Sequence, residues 1–274
     1  MDHCTGGDRP HGGRSDAVRA EDRAPDARRG GDAPGRAGEP GPRAGGAAAG
    51  PEPAALARVW GEVVSTARRT AADGLVVGTS GNVSARVGDL VLVTPSGVPY
   101  DRLGPGDLLA VDLDGRTVHG TLAPTSELPL HLAVYRHTDA RAVVHTHAVH
   151  ATAVSTLVPE LPPVHYMTAA LGGPVRVAPY ALYGSDELAA HMLDALRDRT
   201  ACLLGNHGTV AVGRTLDQAY DRTAQLEWMC RLWLTAASVP GRTPALLTPA
   251  QLHETAAKLA GYGQRPPADG TRGA

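Results

Sequence analysis

From about residue 54 onward the apolar positions follow two rhythms. Leu56, Val59, Trp60, Val63 and Val64 recur at helical spacing and Gly74 supplies a stop, so the spacing predicts an opening helix. Short β-branched runs at 83–87 and 90–94 flank Gly88-Asp89 and predict a hairpin. A further strand at 108–112 runs into Asp114-Gly115, a second turn. A helix is expected from Ser126 to His137, with Ser126 as its N-cap and Pro129 in its first turn. Ala142-Val143-Val144-His145-Thr146-His147 then reads as a buried strand. Helices are predicted at 148–156, 185–199, 215–237 and 248–261, and strands at 175–178, 201–204 and 209–212. Helices and strands are interspersed with hairpins, which predicts one mixed α/β layer domain over 53–264.

Residues 1–52 lack this patterning. They are mostly Gly, Ala, Pro, Arg, Asp and Glu, and cannot bury enough apolar surface to offset their ordering entropy. Disorder is expected there and at 265–274, with His3, Cys4 and His11 read as solvated tail residues. The tail has no apolar core of the secretory type. Its acidic residues disfavour a transit peptide, and a start codon placed too early would also explain it.

With 26 Lys and Arg against 28 Asp and Glu, the net charge is −2, and no basic stripe marks the folded part, so nucleic acid is not expected as a partner. No run is long and apolar enough to predict a membrane span. The three cysteines, Cys4, Cys202 and Cys230, are too widely spaced for a disulfide framework, which points to a reducing cytoplasm with Cys202 and Cys230 in the core.

The chemistry concentrates at four residues. His145 and His147 stand two apart in a strand, so their imidazoles share a face at a spacing suited to a divalent metal. Glu127, at a predicted helix start, and His207, at the end of the strand preceding Gly208, complete a three-histidine, one-carboxylate set. Zinc takes such a set, one ion per chain, and imidazole also admits manganese, iron or cobalt. Singly, Glu127 reads as a first-turn acid complementing the helix dipole, and an HxH pair as two strand histidines. His131, one turn from Glu127, is placed to orient it, and His150 belongs to the following helix. The loop Gly78-Thr79-Ser80-Gly81-Asn82-Val83-Ser84, the turn Thr94-Pro95-Ser96-Gly97 and the pair Thr125-Ser126 are rich in hydroxyls and backbone donors. Each alone is a plain turn; together they favour a phosphate pocket beside the metal. Lys258 is the only lysine, so a Schiff-base mechanism is disfavoured.

These segments, in order with Gly97-Val98-Pro99-Tyr100, Ala148-Val149-His150, His165-Tyr166-Met167, Ala178-Pro179-Tyr180-Ala181 and Asn206-His207-Gly208, resemble the class II aldolase and adducin family, most nearly its aldolases for L-fuculose 1-phosphate. The likeness runs from about residue 54 to Tyr262. It implies a three-layer α/β/α sandwich around a mixed, largely antiparallel sheet, and a homotetramer with active sites between subunits. It implies zinc on Glu127, His145, His147 and His207, with Glu127 also the catalytic acid and base. Phosphate would lie on Thr79, Asn82, Ser96, Gly97, Thr125 and Ser126. Tyr166, from a neighbouring subunit, would serve the aldehyde oxygen, and Tyr262 would close the site. The implied reaction cleaves a ketose 1-phosphate to dihydroxyacetone phosphate and an aldehyde such as L-lactaldehyde.

This chain departs from the family at Gly205-Asn206, where a second histidine is common, at Leu128-Pro129-Leu130, and at Tyr183 in place of phenylalanine. The departures bear on the aldehyde half of the substrate. Competing readings are a ribulose-phosphate 4-epimerase, a methylthioribulose-phosphate dehydratase or a sugar-acid phosphate decarboxylase on the same scaffold, and a non-catalytic adducin-like module. The intact metal set weighs against the last.

Overall fold

The helix predicted to open the fold forms as α1, Pro53–Ala72, and buries Leu56, Val59, Trp60, Val63 and Val64 on one face. The computed structural model describes residues 50–262. The expectations for the two tails, apart from residues 50–52, lie outside the described residues, as do His3, Cys4 and His11. The remaining elements in chain order are β1 (Asn82–Val87), β2 (Leu90–Val93), β3 (Ala110–Asp112), β4 (Thr117–His119), α2 (Leu128–His137), β5 (Ala142–Thr146), α3 (Val149–Ser155), β6 (Glu160–Leu161), β7 (Val175–Ala178), α4 (Asp186–Leu196), β8 (Ala201–Leu204), β9 (Gly208–Gly213), α5 (Leu216–Ala237) and α6 (Pro249–Leu259).

The strands form one sheet in the order β4-β3-β2-β1-β5-β9-β8-β7-β6. Only β7 and β8 pair in parallel; every other neighbouring pair is antiparallel. Alternation along the central strands feeds three apolar clusters on the two faces of the sheet. Val143, Val210 and Val212 face α2 and α4. Val83, Ala85 and Val144 face α1, while Leu203 and Ala211 meet α3 and α5. The result is helix, sheet and helix in three layers. Each fully buried Val or Leu contributes about 1.5–3 kcal/mol.

Several boundaries differ from the sequence reading. The strand β4 was not anticipated because all three of its residues are exposed, and β6 because two residues carry no periodicity. α4 stops at Leu196, and Asp198 adopts φ 59° just beyond it. Ser126 does not cap α2. Glu127 occupies the N-cap position without a side-chain cap bond. The chain makes one turn first, in which Leu128 N–H donates to Thr125 O at 3.1 Å, so the N-cap falls one residue later than expected.

Candidate metal centre

β5 is the central element of the site. All five of its residues are buried, and it lies between β1 and β9. Antiparallel register sets Asn82 opposite His145 and His145 opposite Val210. His145 therefore points to the face covered by α2, whose start carries Glu127. His147 follows on the same face just past the strand end. His207 arrives from the β8–β9 turn, where Asn206 adopts φ 55°.

That turn can approach only because residue 208 is glycine. A Cβ there would stand 2.1 Å from Thr146 O. On the other side, Gly81, at φ 91°, lets the loop before β1 press on His145, whose carbonyl oxygen would be 2.9 Å from a Cβ.

One ligand atom each from Glu127, His145, His147 and His207 lies within 4.8 Å of the others. The Nε2 atoms of His145 and His147 are 3.0 Å apart. Glu127 Oε2 is 2.9 Å from His145 Nε2, and Oε1 is 3.2 Å from His207 Nε2. The three rings are mutually edge-on, with centroids 4.8–4.9 Å apart.

The donor chemistry fits a cation. His145 Nδ1 is 2.8 Å from Thr209 O, and a carbonyl only accepts, so Nδ1 carries the proton. In the neutral ring Nε2 then presents its lone pair to another imidazole and to a carboxylate. His147 is pushed down to about 4, first by burial and then by His145 and His207, which keeps its lone pair free at neutral pH. Burial opposes ionisation of Glu127, yet His145, His207 and Asn82 outweigh it and hold the carboxyl well below its usual range. Buried Oε1 faces only His207 Nε2, at 3.2 Å, and accepts no well-aligned hydrogen bond. Converging lone pairs and a carboxylate oxygen without a well-aligned hydrogen bond match a four-coordinate zinc or similar ion.

All six residues expected to hold phosphate line one cavity of about 420 Å³ together with Glu127, His147 and His207. No lysine or arginine lines it among the described residues, so its donors are hydroxyls, amides and imidazoles. Asn82 is already committed. Its Nδ2 donates to Glu127 Oε2 at 2.9 Å and its Oδ1 meets His131 Nε2 at 2.5 Å, which leaves one N–H for an anion. Tyr180, Tyr183 and Asn206 also line the cavity. The sequence assigns Tyr180 no role; an aromatic beside a proline just past a predicted strand is the signal it offers.

Tyr166 and Tyr262 do not line this cavity. Both border a separate one of about 820 Å³ with His165, Trp228 and Lys258, and they are 51% and 86% exposed. His150 lies on α3 as expected, where its Nδ1 and backbone N–H both meet Glu227 Oε1 of α5. Cys202 and Cys230 are free and buried. No helix among the described residues is long and apolar enough to cross a membrane.

His131 is wholly buried, and burial pushes it down to about 3 from an ordinary 6.5. A base whose pKa is lowered by folding adds stability above its unfolded pKa and loses it as pH falls toward the folded value. The stability of the wild type relative to His131→Gln should therefore decline from pH 6.5 toward pH 4. Urea unfolding of both proteins across that range checks this; a constant difference would show that the imidazole is not held neutral.

A family model for the "Class II Aldolase and Adducin N-terminal domain" matches residues 61–234. The L-fuculose phosphate aldolase of Escherichia coli strain K12 is 41% identical over 187 residues, covering 68% of this chain and 86% of that protein. The 5-deoxy-D-ribulose 1-phosphate aldolase of Bacillus thuringiensis serovar kurstaki is 36% identical over 207 residues, covering 74% and 96%. A solved L-fuculose 1-phosphate aldolase superposes with a TM-score of 0.71 at 32% identity, covering 74% of this chain and 96% of that one.

Proposed function

The chain belongs to the class II aldolase and adducin family, and from that premise we propose that it is a zinc-dependent aldolase that cleaves a deoxyketose 1-phosphate. The products are dihydroxyacetone phosphate and a short aldehyde, L-lactaldehyde when the substrate is L-fuculose 1-phosphate. The observation that carries this reading is the convergence of Glu127, His145, His147 and His207 at one end of a cavity lined by neutral phosphate donors.

A divalent cation on that set supplies Lewis-acid stabilisation of the negative charge left on the ketone half when the C3–C4 bond breaks. The chain's own groups do the rest. Thr79, Ser96, Thr125 and Ser126 offer hydroxyls, and Gly97 a backbone N–H, to the phosphate, which fixes the distance from phosphate to reacting carbon. Glu127, once the substrate's oxygens take its place in the ligand set, takes and returns the proton at the ketone-side carbon through Oε1. His145, His147 and His207 hold the ligand geometry, with His145 locked in one tautomer by Thr209 O.

Tyr166, contributed by a neighbouring subunit of a tetramer, would handle the C4 oxygen, and Tyr262 would cover the bound sugar. Their exposure and their position beside a second cavity support a role toward a partner subunit. The names of the relatives at 41% and 36% identity favour two substrates, L-fuculose 1-phosphate and 5-deoxy-D-ribulose 1-phosphate.

Metal analysis should find about one divalent ion per chain. The zinc-loaded protein should release dihydroxyacetone phosphate from at least one of the two sugars, and chelation should abolish release. An epimer recovered without fragmentation, or no product from either sugar, would overturn the assignment.

A further inference from the structure

Behind Glu127 runs a file of buried polar side chains that the reaction does not touch. Glu127, His131 and Tyr135 recur at intervals of four along α2, and Asn82 and Ser84 at an interval of two along β1. Four helical residues rise about 6.0 Å and two strand residues about 6.6 Å. The two rows therefore stay in step, and their side chains interleave. Ser84 Oγ lies 2.6 Å from His131 Nδ1 and 2.7 Å from Tyr135 OH. All five residues are at most 5% exposed.

The direction of each bond follows from the end that has no choice. The Glu127 carboxylate can only accept, so the Asn82 amide must turn its NH₂ toward Oε2 and its oxygen away. That oxygen requires a proton on His131 Nε2. With His131 held neutral, Nδ1 is bare and must accept from the Ser84 hydroxyl. Ser84 has then spent its proton and accepts from Tyr135, whose hydroxyl burial keeps protonated.

We infer that Tyr135, Ser84 and His131 form a one-way hydrogen-bond relay that holds the Asn82 amide in a single orientation, which makes His131 and Ser84 positioning residues for Glu127. The relay pins Oε2 and leaves Oε1 free for the proton transfer. Its catalytic consequence rests on the aldolase reading above; its existence does not.

The experiment reads the tautomer first. Long-range proton–nitrogen imidazole spectra of the metal-loaded protein, with His131 assigned by its loss in His131→Gln, should show a proton on Nε2 and none on Nδ1. A proton on Nδ1, on both nitrogens, or exchanging between them would overturn the relay whatever the enzyme does.

Turnover is read second. His131→Leu should lower kcat about 10–100-fold with KM within about twofold, and His131→Gln, which keeps an N–H for Asn82, should recover most of the loss. Equal kcat in both folded variants would count against positioning. If His131→Leu does not fold, Ser84→Ala takes its place in this comparison. A wild type that cleaves neither sugar sinks the aldolase assignment alone, because the spectra still decide the relay.

Discussion

Turnover of Glu127→Gln should fall about 10²–10⁴-fold, the range set by loss of a general acid–base group, equivalent to about 2.7–5.5 kcal/mol of barrier. The substitution is nearly isosteric. It retains an oxygen to accept from the Asn82 amide and removes the ability to take a proton at Oε1. His145, His147 and His207 remain to hold a metal, so the comparison belongs at excess zinc, with the metal content of each protein measured. A loaded, folded Glu127→Gln with wild-type kcat would end the proton-transfer role of this carboxylate. Because the residue is 5% exposed and Gln keeps its size and its oxygen toward the Asn82 amide, thermal stability should change far less than rate.

Gly208→Ala should cost more than about 3 kcal/mol of stability, in the range reserved for named structural lesions, and should strip the metal at the same time. The methyl group would stand 2.1 Å from Thr146 O and 3.3 Å from His147 Cα. Relief requires β9 to move away from β5, which breaks the Thr209–Thr146 pairing and the bond from Thr209 O to His145 Nδ1. His207 moves with the turn. Differential scanning calorimetry and zinc titration should therefore fail together. A variant with wild-type stability and stoichiometric zinc would show that the close approach is not needed.

Of the two changes, only the first was foreseeable from the sequence. Glu127 and its three histidines were legible because the residue types carry the chemistry: imidazoles two apart on a strand must share a face, and an acid at a helix start is a small step from a sheet end. The donor-rich turns that line the cavity were legible from their composition. Gly208 was visible only as a glycine beside a histidine, because what it avoids is a carbonyl 62 positions earlier in the chain. The same distance hid the partners of Asn82. Its amide is committed to Glu127 and His131, a consequence of β1 lying beside β5 under α2, which leaves it fewer free donors than the loop composition implied. Ser126 was misread as a cap because an extra turn before a helix leaves no mark in periodicity.

By itself, then, the order of residues determined most of the secondary elements, the layered α/β class and which side chains offer groups that could hold a metal, since each depends on local periodicity or on functional groups. The tertiary structure alone decided which rings meet, which oxygen of Glu127 is left without a well-aligned hydrogen bond, and which way the buried amide and imidazole behind it point. Those outcomes depend on strand register and on hydrogen-bond direction between segments 45 or more residues apart, and no local pattern encodes them.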